Sequence, residues 1–129
     1  MRALIVEDDV TSRLILENVL KAYSSCDIAM NGLEAIAAFR SALDQSRPYD
    51  LICMDIMMPE LDGQAALRQI RQIEKQMGVD ATKVVMTTAK NSSTAVADAL
   101  FDGGACAYFV KPINIDHFIK ELKTMGLIE

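Results

Sequence analysis

The sequence predicts an α/β domain in which five parallel strands alternate with five helices, a doubly wound (βα)5 arrangement. Five short apolar runs recur along the chain, and stretches with helical spacing lie between them. Four of the five runs are almost continuously apolar, which is typical of strands that are covered on both faces. With 129 residues, the chain suits one domain spanning residues 1–129.

The apolar runs are the candidate strands, and the second is the weakest. In chain order they are Ala3–Val6, Cys26–Met30, Leu51–Met54, Val84–Thr88 and Ala107–Val110.

Helical periodicity marks the stretches between and after the runs. In the last stretch, apolar residues fall at i, i+3, i+4 and i+7, and Gly78 is a plausible stop for the third helix. The apolar faces consist of Leu14, Val19, Leu20 and Tyr23; Ile36, Phe39 and Leu43; Ala66, Ile70, Ile73 and Met77; Val96, Ala99 and Leu100; and Ile115, Phe118, Ile119 and Leu122.

Charge and composition exclude several classes of function. There are 13 Lys and Arg against 18 Asp and Glu, a net charge of −5. This balance argues against direct binding to nucleic acid or to an anionic membrane. The longest uncharged stretch, Gly103–Val110, is too short to span a bilayer. The N-terminus lacks a secretory signal, so we expect a cytoplasmic protein.

The three cysteines and the single histidine do not form a metal-site pattern. No CxxC pair is present and His117 has no Cys or His near it, which argues against a zinc site or disulfide framework. We expect Cys53 and Cys106 to be buried free thiols, leave Cys26 open, and expect His117 on the surface. We also expect the charged residues of the third helix to form a solvated face: Arg68, Arg71, Glu74 and Lys75.

Functional groups stand at the ends of four candidate strands. Glu7–Asp9 follow the first, Asp55 ends the third, Thr88 ends the fourth and Lys111 follows the fifth. In open parallel sheets, ligands bind outside the carboxyl ends of the strands. Asp9 taken alone is equally well explained as a helix cap.

These residue types suit phosphoryl transfer. Clustered carboxylates repel one another unless a cation lies among them, and Mg²⁺ accepts such oxygen ligands together with phosphate oxygens. The Lys111 ammonium and the Thr88 hydroxyl are suited to phosphate oxygens. An aspartate can act as the nucleophile and form an aspartyl phosphate, which makes Asp55 the candidate.

The combination resembles the receiver domain of two-component response regulators, a CheY-like family with a flavodoxin-like fold. The motifs are Val6–Asp9, Met54–Pro59 with Asp62-Gly63, Thr88-Ala89, and Lys111-Pro112. The resemblance extends over essentially the whole chain. It implies a phosphorelay function in which Asp55 accepts a phosphoryl group from a phosphohistidine.

The resemblance also implies a Mg²⁺ site formed by Glu7, Asp8, Asp55 and the backbone carbonyl of Met57. Asp8 would be a direct ligand, and Glu7 would act through water. Glu7 is a small departure, because the first acid of the family motif is more often Asp. The Lys111-Pro112 bond is implied to be cis.

Thr88 and Tyr108 match the switch residues of the family, with Thr88 and Lys111 contacting the phosphoryl group. Phosphorylation is thereby expected to alter the surface of the fourth helix, fifth strand and fifth helix, where a downstream protein would bind. The implied phosphodonor is a sensor histidine kinase or a histidine phosphotransfer protein. We expect a signalling domain rather than an enzyme, and a monomer or a weak phosphorylation-dependent dimer.

Met57 and Lys90 lie two residues after Asp55 and Thr88. The resemblance implies that these two positions flank the path of an attacking water. Neither activates water at neutral pH, so we predict slow to moderate self-dephosphorylation. The spacing from Asp55 to Thr88 predicts a slightly long connection around 78–83.

Three alternatives remain open at this point. A Mg²⁺-dependent phosphatase would want a second acid where Met57 stands, and a nucleotide- or flavin-binding protein would want a glycine-rich phosphate loop that is absent. A receiver-like module that is never phosphorylated is disfavoured by the intact acid, Thr and Lys set. The sequence leaves open a stand-alone regulator, a phosphate shuttle or part of a longer protein.

Overall fold

Five parallel strands form one sheet in the computed structural model of the protein, which describes residues 1–58, 60–89 and 104–129. The strand order is β2-β1-β3-β4-β5. Every candidate strand is confirmed to within one residue at either end. The strands are β1 Arg2–Val6, β2 Ser25–Ala29, β3 Leu51–Asp55, β4 Lys83–Thr88 and β5 Ala107–Val110.

Four helices pack on this sheet in the part of the chain that the structure describes. Each begins after an Asp or Asn whose side chain accepts a hydrogen bond from a backbone N–H of the first turn. None is long and apolar enough to cross a membrane. The helices are α1 Val10–Leu20, α2 Gly32–Asp44, α3 Gly63–Met77 and the C-terminal helix Ile115–Thr124. The predicted helix around Val96, Ala99 and Leu100 lies outside the described residues.

Two hydrophobic clusters, one on each face of the sheet, hold these layers together. Phe39 of α2 and Ile70 of α3 belong to one cluster, and Leu16 of α1 and Phe118 of the C-terminal helix belong to the other. The central strand β3 is buried along its whole length. Helices on both faces of a parallel sheet confirm the predicted doubly wound, flavodoxin-like architecture.

The predicted apolar face of α1 is partly wrong. Leu14 is half exposed, and Tyr23 lies beyond the helix and is also exposed. The buried residues are Leu16 and Leu20, which lie four apart on one helical face, whereas Leu14 is two residues from Leu16 and therefore points the opposite way. Met77 and Ile115, at the ends of their helices, are likewise exposed.

Local predictions about single side chains have mixed outcomes. Cys53 is buried and His117 is exposed, as predicted, and the Lys111-Pro112 bond is cis. Gly78 adopts a left-handed conformation with φ of 64° and ends α3. The prediction for Cys106 is wrong, because this thiol precedes β5 and is exposed.

The predicted solvated face of α3 is wrong for Arg71 and Glu74. The Glu74 carboxylate is almost fully buried, and it accepts hydrogen bonds from Arg71 Nη1 (2.8 Å) and the Thr82 N–H (2.7 Å). Arg71 also donates to the backbone carbonyls of Thr82 (3.0 Å) and Gly104 (3.1 Å). The pair therefore ties α3 to the segments that enter β4 and β5.

We expect Glu74→Ala to lower the free energy of unfolding by about 2–4 kcal/mol, because the change leaves the Arg71 guanidinium and the Thr82 N–H without their buried acceptor. Urea denaturation measures this loss. Arg68→Ala, on the exposed side of the same helix, is the matched control and should change stability by less than about 0.5 kcal/mol. Equal effects of the two variants would contradict the buried role of Glu74.

Candidate functional site

Three carboxylates meet where β1 and β3 end. Val6 pairs with Met54 in the parallel register, so the residues that follow these strands reach the same edge of the sheet. Oxygen atoms of Glu7, Asp8 and Asp55 all lie within 4.8 Å of one another. Glu7 and Asp55 are buried and Asp8 is exposed. This set of oxygen ligands is suited to a metal ion that remains accessible to solvent.

Lys111, directly after β5, bridges two of these acids. Its Nζ lies 2.8 Å from Glu7 Oε2 and 3.2 Å from Asp55 Oδ2. The backbone N–H of Lys111 donates to the Thr88 carbonyl (2.8 Å), which fixes the start of the side chain beside β4. Burial disfavours the ammonium, but the bonds to Glu7 and the charges of both carboxylates outweigh burial and raise the pKa of Lys111.

Both oxygens of Glu7 face protein donors. Oε1 accepts a hydrogen bond from the Asp9 N–H (3.1 Å), and Oε2 lies against Lys111. Burial is the largest influence on this carboxyl group and raises its pKa, and the negative charge of Asp55 adds to the shift. The contacts with Lys111 and Asp9 oppose it. The sequence did not reveal that Glu7 is engaged in this way.

Both carboxylate oxygens of Asp55 accept hydrogen bonds from the protein. Oδ2 faces Lys111, and Oδ1 accepts a hydrogen bond from the backbone N–H of Met57 (3.2 Å). The Met57 side chain is 59% exposed and covers no part of the core. Met57 therefore lies at the exposed edge of the acid cluster, as Asp8 does.

The two predicted switch residues lie on neighbouring strands. Thr88 ends β4, is buried, and pairs in register with Val110. Tyr108 lies on β5 and packs, half-buried, against the hydrophobic cluster that includes α2 and α3. Lys90, predicted to influence the phosphoryl lifetime, lies outside the described residues.

Gly63 brings the start of α3 against the backbone of Asp55. A Cβ atom on Gly63 would lie 2.2 Å from the Asp55 carbonyl oxygen and 3.0 Å from the Ile56 Cα. The Gly63 N–H donates to the Ile56 carbonyl (2.9 Å), and Asp62 caps the helix by accepting from the Ala65 N–H (2.8 Å). Asp62-Gly63 is visible in the sequence as a motif, but the close approach of the Asp55 backbone to Gly63 is not.

The chain is similar to proteins of one known family. The model of the response regulator receiver domain matches residues 3–123 of the chain. The chain belongs to the response regulator receiver family. The identity expected from the strand-end motifs is thereby confirmed, and the protein is a receiver domain of the two-component type.

Curated relatives of this receiver span bacteria and plants. The chemotaxis protein CheY of Bacillus subtilis is 31% identical over 131 aligned positions, covering 97% of this chain and 98% of the relative. The two-component response regulator ORR41 of Oryza sativa is 31% identical over 114 positions, covering 88% and 85%.

Solved receiver structures share the fold. The receiver domain of Saccharomyces cerevisiae Ssk1, crystallised with the histidine phosphotransfer protein Ypd1, is 34% identical with a TM-score of 0.82 and coverage of 98% of this chain and 88% of that one. The CheX–CheY–BeF₃–Mg complex of Borrelia burgdorferi gives 25% identity, a TM-score of 0.85 and coverage of 98% and 89%.

We expect Gly63→Ala to displace Asp55 and to lower the free energy of unfolding by about 1–3 kcal/mol, because the new Cβ overlaps backbone atoms. The backbone amide resonances of Asp55 and Met57 in ¹H–¹⁵N spectra report the displacement.

Gly78→Ala is the control for this variant. It places a Cβ in open space at a left-handed residue, which costs about 1–2 kcal/mol without touching the site. Unchanged Asp55 and Met57 resonances in Gly63→Ala would contradict the proposed displacement.

Proposed function

We propose that Asp55 accepts a phosphoryl group from a phosphohistidine of a sensor histidine kinase or a histidine phosphotransfer protein, and that residues 1–129 act as one receiver domain. The observation that carries this proposal is the Asp55 carboxylate, held by Lys111 and the Met57 N–H beside two further acids. The solved complex of the Ssk1 receiver domain with Ypd1 supports a histidine phosphotransfer protein as the class of partner.

We further propose that the acids hold Mg²⁺. Asp8, Asp55 and the Met57 carbonyl would be the protein ligands, and Glu7 would act through water because Asp9 and Lys111 already engage its oxygens. Bound Mg²⁺ would neutralise charge on the phosphoryl oxygens. The donor set supports this choice, because carboxylates, a carbonyl and water are the ligands that Mg²⁺ takes in proteins.

The chain's own residues supply position and charge for the transfer. An Asp55 carboxylate oxygen forms the new bond to phosphorus, and the bond from phosphorus to the histidine nitrogen breaks. Lys111, fixed at the end of β5, stabilises negative charge that moves onto the phosphoryl oxygens. The domain thus catalyses its own modification without being an enzyme that acts on other substrates.

We propose that the side chains of Thr88 and Tyr108 move in response to the charge of the phosphoryl group on Asp55. A phosphoryl group changes the charge at Asp55 from −1 to roughly −1.5 to −2. The Thr88 hydroxyl would turn to donate to it, and Tyr108 would follow into the space released. The surface that includes β5 and the C-terminal helix would then favour a downstream protein target. We propose a cytoplasmic protein with no direct nucleic-acid contact, either a monomer or a weak phosphorylation-dependent dimer.

We expect Asp55→Asn to abolish phosphoryl labelling by acetyl phosphate in the presence of Mg²⁺, because the amide cannot act as the nucleophile. Intact-protein mass spectrometry measures the labelled fraction. Asp80→Asn, a change at an exposed loop beyond α3, is the control and should leave labelling unchanged. Undiminished labelling of Asp55→Asn would refute the assignment, and an unlabelled wild type would favour a module that is never phosphorylated.

The phosphoryl group should persist on the isolated domain for minutes or longer. Met57 is exposed beside Asp55 but its thioether does not orient an attacking water, and Lys90 is no general base at neutral pH. The measurement is the decay of the labelled species after the small-molecule phosphodonor is removed. Complete loss within seconds would contradict this prediction.

A further inference from the structure

The loop from β3 to α3 determines where the Met57 backbone lies relative to Asp55. Its Met57 N–H donates to Asp55 Oδ1. Directly after the loop, α3 begins at Gly63, which lies against the Asp55 carbonyl. Leu61, in the same loop, packs against the hydrophobic cluster beneath α2 and α3. Gly63 follows this segment, and its N–H donates to the carbonyl of Ile56, the residue before Met57 (2.9 Å). A shift at Leu61 can therefore reach the Met57 backbone through Gly63 and Ile56.

The first residue of α2 presses on this loop from the other side. A Cβ on Gly32 would lie 2.5 Å from the Leu61 carbonyl oxygen, 3.1 Å from Leu61 Cβ and 3.2 Å from Ala66 Cβ. Gly32 is buried and its backbone is outside the left-handed region, so glycine is needed there for space rather than for conformation. The closest contact is with backbone, which has no rotamer to change.

The start of α2 is itself held firmly. The Asn31 side chain accepts from the Glu34 N–H (2.9 Å), and the Glu34 side chain accepts from the Met30 N–H (3.1 Å). This reciprocal arrangement satisfies donors on both sides of the helix start. The preceding strand is tied to the acid cluster, because the Glu7 N–H donates to the Ala29 carbonyl (3.0 Å). The first turn of α2 is thus a stiff support for the loop.

We propose that Gly32 is a positioning residue of the phosphoacceptor site. Because Gly32 has no side chain, the first turn of α2 lies directly against the β3–α3 loop, and this contact determines where the Met57 backbone lies beside Asp55. The inference rests on the proposed function for its consequence. An ordinary carbon–oxygen contact needs roughly 3.5 Å, so a methyl group on Gly32 displaces the loop or the helix by about 1 Å.

The test is Gly32→Ala in the full chain. Alanine is the better helix former, so a loss of site function cannot come from a weaker α2. We expect the Met57 and Leu61 amide resonances of the metal-free protein to move. We expect Mg²⁺ affinity, measured by calorimetry, to fall about tenfold, as is typical when a group that orients a ligand is disturbed.

Ala35→Gly is the matched control, because Ala35 is buried on the same helix and the change weakens α2 without adding an atom near the loop. It should leave the Met57 resonance and Mg²⁺ affinity unchanged. Asn31→Ala, which removes the cap bond to Glu34, should loosen the support and weaken Mg²⁺ binding about two- to threefold. This variant decides the matter if Gly32→Ala does not fold.

An unmoved Met57 resonance in Gly32→Ala would overturn the proposal, and so would equal changes in Ala35→Gly. These outcomes are distinct from failure of the proposed function. If the proposed function is wrong, the wild-type protein neither binds Mg²⁺ nor accepts a phosphoryl group. The resonance test of Gly32→Ala needs no metal and no phosphodonor.

Discussion

The bridge that Lys111 makes between Glu7 and Asp55 is the interaction on which the rest of the site depends. Two of the three carboxylates are buried, and buried like charges repel strongly when no cation lies between them. Lys111 comes from β5, two strands away from β3, so only the completed sheet supplies its charge. Three carboxylates and one ammonium leave −3 + 1 = −2, which matches the charge of one divalent cation. Part of the acidity of the chain, which argued against polyanion binding, is thus concentrated at this edge of the sheet, where the acids could hold a metal ion.

The Lys111 ammonium lies at unequal distances from the two carboxylates that it bridges. Lys111 Nζ is closer to Glu7 Oε2 (2.8 Å) than to Asp55 Oδ2 (3.2 Å). The phosphoryl group proposed for Asp55 would add charge on that side alone, and the balance of attraction would then shift from Glu7 toward Asp55. Because the backbone N–H of Lys111 donates to the Thr88 carbonyl, the strand that carries the proposed switch hydroxyl of Thr88 lies directly beside Lys111. A local change in charge is therefore connected to β4 and β5 through a single residue.

Most of the fold and the cluster of functional residues could be predicted from the sequence, because apolar runs mark buried strands and parallel strands end at one edge. What escaped prediction depends on partners that are distant in the chain. The Arg71–Glu74 pair looked solvated because its acceptors and donors, Thr82 and Gly104, lie beyond the helix. The face of α1 was misjudged because scattered apolar residues left its orientation open. Glycines are visible in a sequence, but the backbone that approaches them is not.

Backbone contacts at glycines extend the geometry of the site beyond its functional groups. A side chain in a tight contact can change rotamer, whereas two backbones in contact can separate only if a strand or helix moves. The β3–α3 loop has such contacts on both sides, with Asp55 through Gly63 and with α2 through Gly32. In the arrangement that we propose, the distance between the Met57 backbone and Asp55 is therefore set by the spacing of a strand and two helices. Two glycines, which carry no functional group, thus help to determine whether Asp55 and Met57 are correctly positioned.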